Sequence, residues 1–273
     1  MSDSPPKTRS LVLEAHLPGT PDELARMLTD PLELARWFAP FVEGPGTPGA
    51  LVTFRWSPDM VWKTRPEIIE PGRRVLWRDA PPEEQPGGPP GATMVIEWSL
   101  AAEAGGTRLR LVHSGFGEGA EWEDQYDATN AGWRFFLWHL EETLRHHRGA
   151  DRAVVWERRA SGLSRDALGE RLFGPAGLAL SPARPAPGTV AHLSLGGTPR
   201  RFEVANAHLP THLWGKFPGL GGAILLVEME PGRTGPFHTG LWLSTWGLAP
   251  DVLASLRAGL RAMADAVFGP PPG

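Results

Sequence analysis

Between Trp122 and Leu144 the apolar residues Trp122, Tyr126, Trp133, Leu137, Leu140 and Leu144 fall at spacings that add up to one stripe of a long helix. Before that stripe the period is two. From Ala50 onward Phe54 and Trp56 share one face of a strand, while Thr53 and Arg55 take the other. A helix with a single apolar stripe has to cover something, and the run of strands before it supplies a sheet. The two periods in this order restrict the chain to an α+β, two-layer design.

Further strands are predicted at 60–69, 74–78, 93–100 and 107–113, separated by turn signals such as Pro71-Gly72 and Gly105-Gly106. The arrangement is a meander. Alternation puts Trp62, Trp77, Ile96, Trp98, Leu109, Leu111 and His113 on the apolar phase, with Lys63, Arg65, Glu97, Arg108 and Arg110 opposite, so one sheet face is unusually aromatic. Upstream, 11–17 reads as a first strand. Thr20, Pro21 and Glu23 then supply an N-cap, a favoured first helical residue and a first-turn acid for a short helix to Leu28. Asp30 and Pro31 open a second, ending near Trp37 and Pro40, and 43–49 is expected to be loop. A first strand, two short helices, a meander and a closing helix across it make a helix-grip fold.

At this point the chain resembles the START-like (SRPBCC) superfamily, in particular the branch of the activator of heat-shock protein 90 ATPase. The residues carrying the resemblance are Pro21-Asp22-Glu23-Leu24 after the opening strand, the Trp37-Phe38 pair, Leu111-Val112-His113-Ser114-Gly115-Phe116, and Gly132-Trp133-Arg134 leading into Leu137 and Leu140. Together they span nearly all of 11–148. The resemblance implies the helix-grip fold and a superfamily whose members bind lipids, polyketides, hormones or protein clients. It supplies no shared catalytic residues to carry over.

The second half repeats the order in weaker form. Strands are predicted at 153–160, 189–195, 201–209, 223–230 and 237–246, with a helix capped by Ser164 and a closing helix over 251–268 that carries Leu253, Leu256, Leu260, Met263 and Val267. It has fewer aromatics, one short helix after its first strand, and no copy of the His-Ser-Gly-Phe run. The expected organisation is therefore a helix-grip module over 1–150 and a diverged helix-grip-like module over 151–273.

Composition removes several function classes. A formal charge of −4 with both signs interspersed gives no field to gather polyanions, so nucleic acid is not an expected partner. Cysteine is absent, which excludes disulfides and thiolate chemistry and makes a reducing, cytoplasmic location the expectation. The opening 1–10 contains no apolar run that reads as a signal peptide, and the longest aliphatic stretch, 223–227, is far too short for a membrane span. Gly44, Gly46 and Gly49 match the dinucleotide fingerprint as letters, but no strand-then-helix context is predicted around them. His139, Glu142 and His146 share a helix face off the apolar stripe, which reads as a solvated surface, so neither a metal nor a cofactor is expected.

The expected function is non-enzymatic binding of an apolar small molecule or lipid-like ligand in an aromatic-rich groove. Phe54, Trp56, Trp62, Trp77, Trp98, His113, Tyr126, Trp133 and Leu137 are the candidate lining residues. His113 reads first as a satisfied core histidine, and Tyr126 with Asn130 as polar contacts at the groove mouth. The resemblance keeps two alternatives open. One is an aromatase or cyclase in which His113, Tyr126 or Arg134 steers proton transfers on a polyketide-like chain, and the other a co-chaperone-like module with a protein client.

Overall fold

The computed structural model describes residues 8–84, 93–117, 119–230 and 237–269. Its backbone divides into two compact units, Met1–Gly149 and Ala150–Gly273. In the first unit β1 (Arg9–Leu17) is followed by α1 (Pro21–Met27) and α2 (Pro31–Trp37). Then come β2 (Phe41–Glu43), β3 (Val52–Ser57), β4 (Met60–Glu70), β5 (Arg74–Asp79), β6 (Val95–Glu103), β7 (Gly106–Phe116) and the long α3 (Ala120–His146). The capping read from the sequence is present in side-chain hydrogen bonds. Thr20 Oγ1 accepts from the Glu23 N–H at 3.2 Å, and Asp30 Oδ1 accepts from the N–H groups of Leu32 at 2.8 Å and Glu33 at 3.3 Å. Each such cap stabilises by about 1 kcal/mol, which matters for helices this short.

The strands form one antiparallel sheet in the order β1-β7-β6-β5-β4-β3-β2. Its register sets the aromatic face in rows: Leu11 lies beside His113, His113 beside Ile96, and Ile96 beside Trp77. The next row runs Leu13, Leu111, Trp98 and Val75. Trp133, Leu137, Leu140 and Leu144 of α3 share one buried core with these residues, so the helix stripe covers the aromatic face as the two periods require. The helix-grip expectation holds.

The second unit has β8 (Arg152–Ser161), α4 (Arg165–Phe173), β9 (Val190–Leu195), β10 (Thr198–His208), β11 (His212–Phe217), β12 (Ala223–Glu230), β13 (Phe237–Trp246) and α5 (Pro250–Phe268), with a 3-10 turn at Pro218–Leu220. Its sheet order, β8-β13-β12-β11-β10-β9, repeats the first with one edge strand fewer. First strand beside last, then the meander in reverse, is the same helix-grip topology. The core is mostly aliphatic, built from Val155, Leu225, Val227, Leu241, Leu243, Leu256 and Leu260, with Phe202 against Phe217 at 4.8 Å. No helix among the described residues is long and apolar enough to cross a membrane.

Two strands differ from the sequence expectation. The loop expected at 43–49 is preceded by β2, whose Val42 pairs with Phe54; three residues are too few for alternation to register. In the second unit β11 was not predicted, because Gly215 breaks its apolar run. That glycine is required by packing, since a Cβ there would come 2.7 Å from the Phe202 ring and run into the Glu203 carbonyl. Gly44, Gly46 and Gly49 lie between β2 and β3, so a strand follows the fingerprint letters and the helix that a pyrophosphate site needs is not there.

We propose that the two units also fold as independent domains. Residues 1–150 expressed alone are then expected to keep a sharp thermal transition, and limited proteolysis of the full chain to cut first near 149–152. A broad or absent transition in the fragment would mean that the units fold only as one.

Candidate functional site

The candidate residues converge on the interior of the first unit. Phe54, Trp77, Trp98, Trp133 and Leu137 are buried there, and Trp56, Trp62 and Tyr126 are half-buried against the same core. The rings touch in a continuous series: Phe54 to Trp62 at 5.4 Å, Phe54 to Trp77 at 5.3 Å, Trp77 to Trp98 at 6.1 Å and Trp98 to Trp133 at 5.1 Å. Trp77 meets Trp98, and Trp98 meets Trp133, edge to face at 72° and 85°, the arrangement that ring quadrupoles favour. This interior is packed with the protein's own rings.

Two residues central to the cluster escaped the sequence reading as lining. Phe38 lies 5.2 Å from Trp56, 5.1 Å from Phe54 and 4.6 Å from Phe136, and stacks on Trp133 at 5.5 Å with planes 2° apart. It sits just past the end of α2, where no periodicity assigns a face. Phe136 follows Trp133 by three positions on α3, so the helical spacing contained it.

The polar groups inside this cluster are few, and their hydrogen bonds are specific. Trp37 Nε1–H donates to the Met27 carbonyl at 2.8 Å, and Trp62 Nε1–H to Asp79 Oδ1 at 2.7 Å. Burial pushes the Asp79 carboxyl up to about 7, only partly opposed by that bond. His113 is buried, with Trp133 Nε1 at 2.9 Å from its Nδ1. Indole N–H can only donate, so Nδ1 is the acceptor and the neutral ring carries its proton on Nε2. Burial lowers the His113 pKa to about 3, which keeps the ring neutral.

That Nε2 has no hydrogen-bond partner, nor do the buried Nε1 atoms of Trp56, Trp77 and Trp98. A buried donor left unmade costs about 1–3 kcal/mol, so four in one cluster are an expense that packing alone does not call for. At the far end Tyr126 rests on Phe116 at 5.2 Å, and the Arg9 guanidinium lies 4.1 Å above its ring. Arg9 also pairs with Glu123 at 2.9 Å. Asn130 accepts from Arg134 Nε at 3.0 Å on the exposed side of α3.

The face read as solvated is corrected. His139 is fully buried, 5.4 Å from the Phe135 ring and with Nδ1 3.5 Å from Thr143 Oγ1; only His146 of that set is well exposed. One stripe was assigned to α3 where the helix buries residues of a second. Among the described residues no group of three or more His, Cys, Asp or Glu is arranged to hold a metal ion. A cleft of about 160 Å³ between α1, α2 and the end of α3 is separate from the rings and charged, with ion pairs Glu33–Arg36 and Glu23–Arg148 in its wall.

In the second unit Glu228 Oε1 accepts from Trp242 Nε1 at 2.8 Å, and Trp156 stacks on Trp242 at 5.6 Å. Burial, reinforced by the neighbouring Glu230 charge, raises the Glu228 carboxyl above the usual carboxylate range. Arg158 donates to both oxygens of Glu230, from Nε to Oε1 at 2.8 Å and from Nη2 to Oε2 at 2.7 Å.

Residues 19–145 match the family described as Activator of Hsp90 ATPase homolog 1-like protein. The first unit is an AHSA1-like module with the SRPBCC-type fold. No curated protein matches the chain. Among solved structures, protein MLL2253 from Mesorhizobium loti is 23% identical, with 50% of this chain and 97% of that one covered and a TM-score of 0.44. The Aha1 dimer from Colwellia psychrerythraea is 22% identical over 52% of this chain and 99% of that one, at a TM-score of 0.44. DynU16, a protein in the dynemicin biosynthetic locus, is 20% identical over 94% of this chain and 96% of that one, at 0.43. The AHSA1-like module thus holds the aromatic interior, and the second unit repeats its topology around an aliphatic core.

Proposed function

We propose that the AHSA1-like module binds an apolar or lipid-like small molecule among the rings between its sheet and α3, without transforming it. The observation that supports this reading is a buried aromatic cluster that holds several N–H donors without partners. Ligand sites are mostly apolar with a few placed polar groups, and this interior has that chemistry. Because the rings already touch, a ligand enters by parting them, and Trp56 and Trp62 are half-buried members of the series. Proton transfer fits the site less well. For His113 to act as a base, Nε2 would have to lose its hydrogen and Nδ1 gain one, which would break the bond from Trp133.

The test is a titration with Nile red, a neutral apolar fluorophore, followed by tryptophan emission. Saturable binding in the micromolar range is expected, since about 8 kcal/mol corresponds to a micromolar constant. Trp133→Ala is expected to weaken it about tenfold, the loss of one well-packed aromatic contact. Binding unchanged in both Trp133→Ala and Trp98→Ala would put the site outside this interior. Native mass spectrometry before and after organic extraction tests the same reading with whatever molecule co-purifies, and a protein client without any small molecule would favour an interaction module instead.

A further inference from the structure

The buried ring nitrogens without a partner in the AHSA1-like module are all of one kind. His113 Nε2 and the Nε1 atoms of Trp56, Trp77 and Trp98 are buried and without a hydrogen-bond partner, and every one of them is a donor. For the three indoles this follows from their chemistry. For His113 it follows from geometry, because Trp133 occupies Nδ1 at 2.9 Å and so leaves the proton on Nε2. A molecule that satisfies such a set has to bring acceptors. It has no use for a hydroxyl, amide or amine proton of its own.

Charge narrows the class further. The donors are neutral, and the Arg9 guanidinium, which sits over Tyr126 at the end of the cluster, is already paired with Glu123 at 2.9 Å. A carboxylate or phosphate brought among the rings would meet the negative faces of their quadrupoles without a counter-charge. The acceptor is therefore a neutral oxygen. Ring chemistry points the same way: a flat ring that parts Trp98 from Trp77 or Trp133 can replace the edge-to-face contact it breaks, which a flexible chain cannot.

We infer that, within the binding reading on which this rests, the module selects neutral, planar carbonyl compounds, with the carbonyl oxygen taking the Nε2–H of His113. This sets His113 as a specificity-determining residue and excludes free fatty acids from the preferred ligands.

The experiment compares 9-fluorenone with fluorene, which share shape and charge and differ by the carbonyl, using calorimetry on the full chain and on His113→Phe and His113→Gln. In the unmodified protein fluorenone is expected to bind about threefold to tenfold tighter than fluorene, the net worth of one buried hydrogen bond. In His113→Phe the ratio of the two affinities should fall to about one, whatever loss the two compounds share, and His113→Gln, which keeps an N–H, should restore part of the preference. The ¹⁵N spectrum gives an independent readout: the His113 Nε2–H resonance should shift with fluorenone and not with fluorene. Equal affinities in the unmodified protein, or a preference that survives His113→Phe, would overturn the carbonyl inference and leave the binding reading standing. No saturable binding of either compound would overturn both.

Discussion

Asp79→Asn is expected to give a protein whose stability rises with pH between about 4 and 6.5, where the unmodified protein is nearly flat. The flatness comes from two buried groups of opposite sense. Asp79 titrates at about 7 in the folded protein against an ordinary 3.8, so its contribution is full below 3.8 and is lost as pH rises through 7. His113 titrates at about 3 against an ordinary 6.5, so its contribution is present above 6.5 and is lost as pH falls toward 3. Between these limits the unfolded chain holds one proton on the histidine and the folded chain holds one on the aspartate. The proton counts are equal and the slopes cancel. Asparagine keeps an acceptor for Trp62 Nε1 and removes the ionisation, which exposes the histidine slope.

The variant should gain on the unmodified protein by about 4 kcal/mol across the range from pH 4 to pH 7. His113→Phe should do the reverse, with stability falling as pH rises. Urea unfolding at several pH values measures this, and taking the difference between variant and parent removes the contributions of Glu228 and His212 in the second unit. Those two are shifted in the same opposing pattern, Glu228 upward and His212 down to about 4, each chiefly by burial. Parallel pH curves for Asp79→Asn and the parent would mean that Asp79 titrates as an ordinary exposed carboxylate.

Neither of these groups was legible in the sequence to the same degree. His113 lies on the apolar phase of a strand, so alternation assigned it inward, but its tautomer depends on Trp133, twenty residues away in sequence and on another element. Asp79 comes at the very end of β5, where an acid reads as the start of a turn. What buries it is the register, Thr64 opposite Asp79, and the Trp62 indole that this register brings within reach.

The same division holds for the rest of the module. Trp77, Trp98, Leu109 and Leu111 were assigned correctly because period two is a local property of each strand, and Trp133 and Leu137 because one helix stripe is too. Phe38 and His139 were not. Phe38 follows the last turn of α2 with backbone angles of no regular element, and its role comes from the tertiary approach of Trp133 and Phe136. His139 is buried on a face of α3 that a one-stripe reading leaves to solvent. In the second unit the topology was legible from its order of elements, while β11 was hidden by a glycine that the packing of Phe202 imposes.

Trp98→Ala should cost about 3–5 kcal/mol, the usual loss when a large aromatic is cut from a closed core. Trp98 is fully buried and meets Trp77 and Trp133 edge to face, so its removal opens a void between the sheet and α3 at the middle of the ring series. No hydrogen bond is lost with it, because its Nε1 has no partner. That makes Trp98→Phe a useful control. Phenylalanine removes the unpaired donor along with some ring volume, two effects of opposite sign, and should cost less than about 2 kcal/mol. The denaturation midpoint of the transition that reports on the first unit measures both. If Trp98→Ala lost less than about 1 kcal/mol, the rings would not be closely packed in solution, and the interior would be loose enough to admit a ligand without first being parted. If the full loss is found and a neutral planar ligand then recovers most of it in the alanine variant, the void and the binding site are the same place, since a ligand that binds only the folded state stabilises it in proportion to its occupancy.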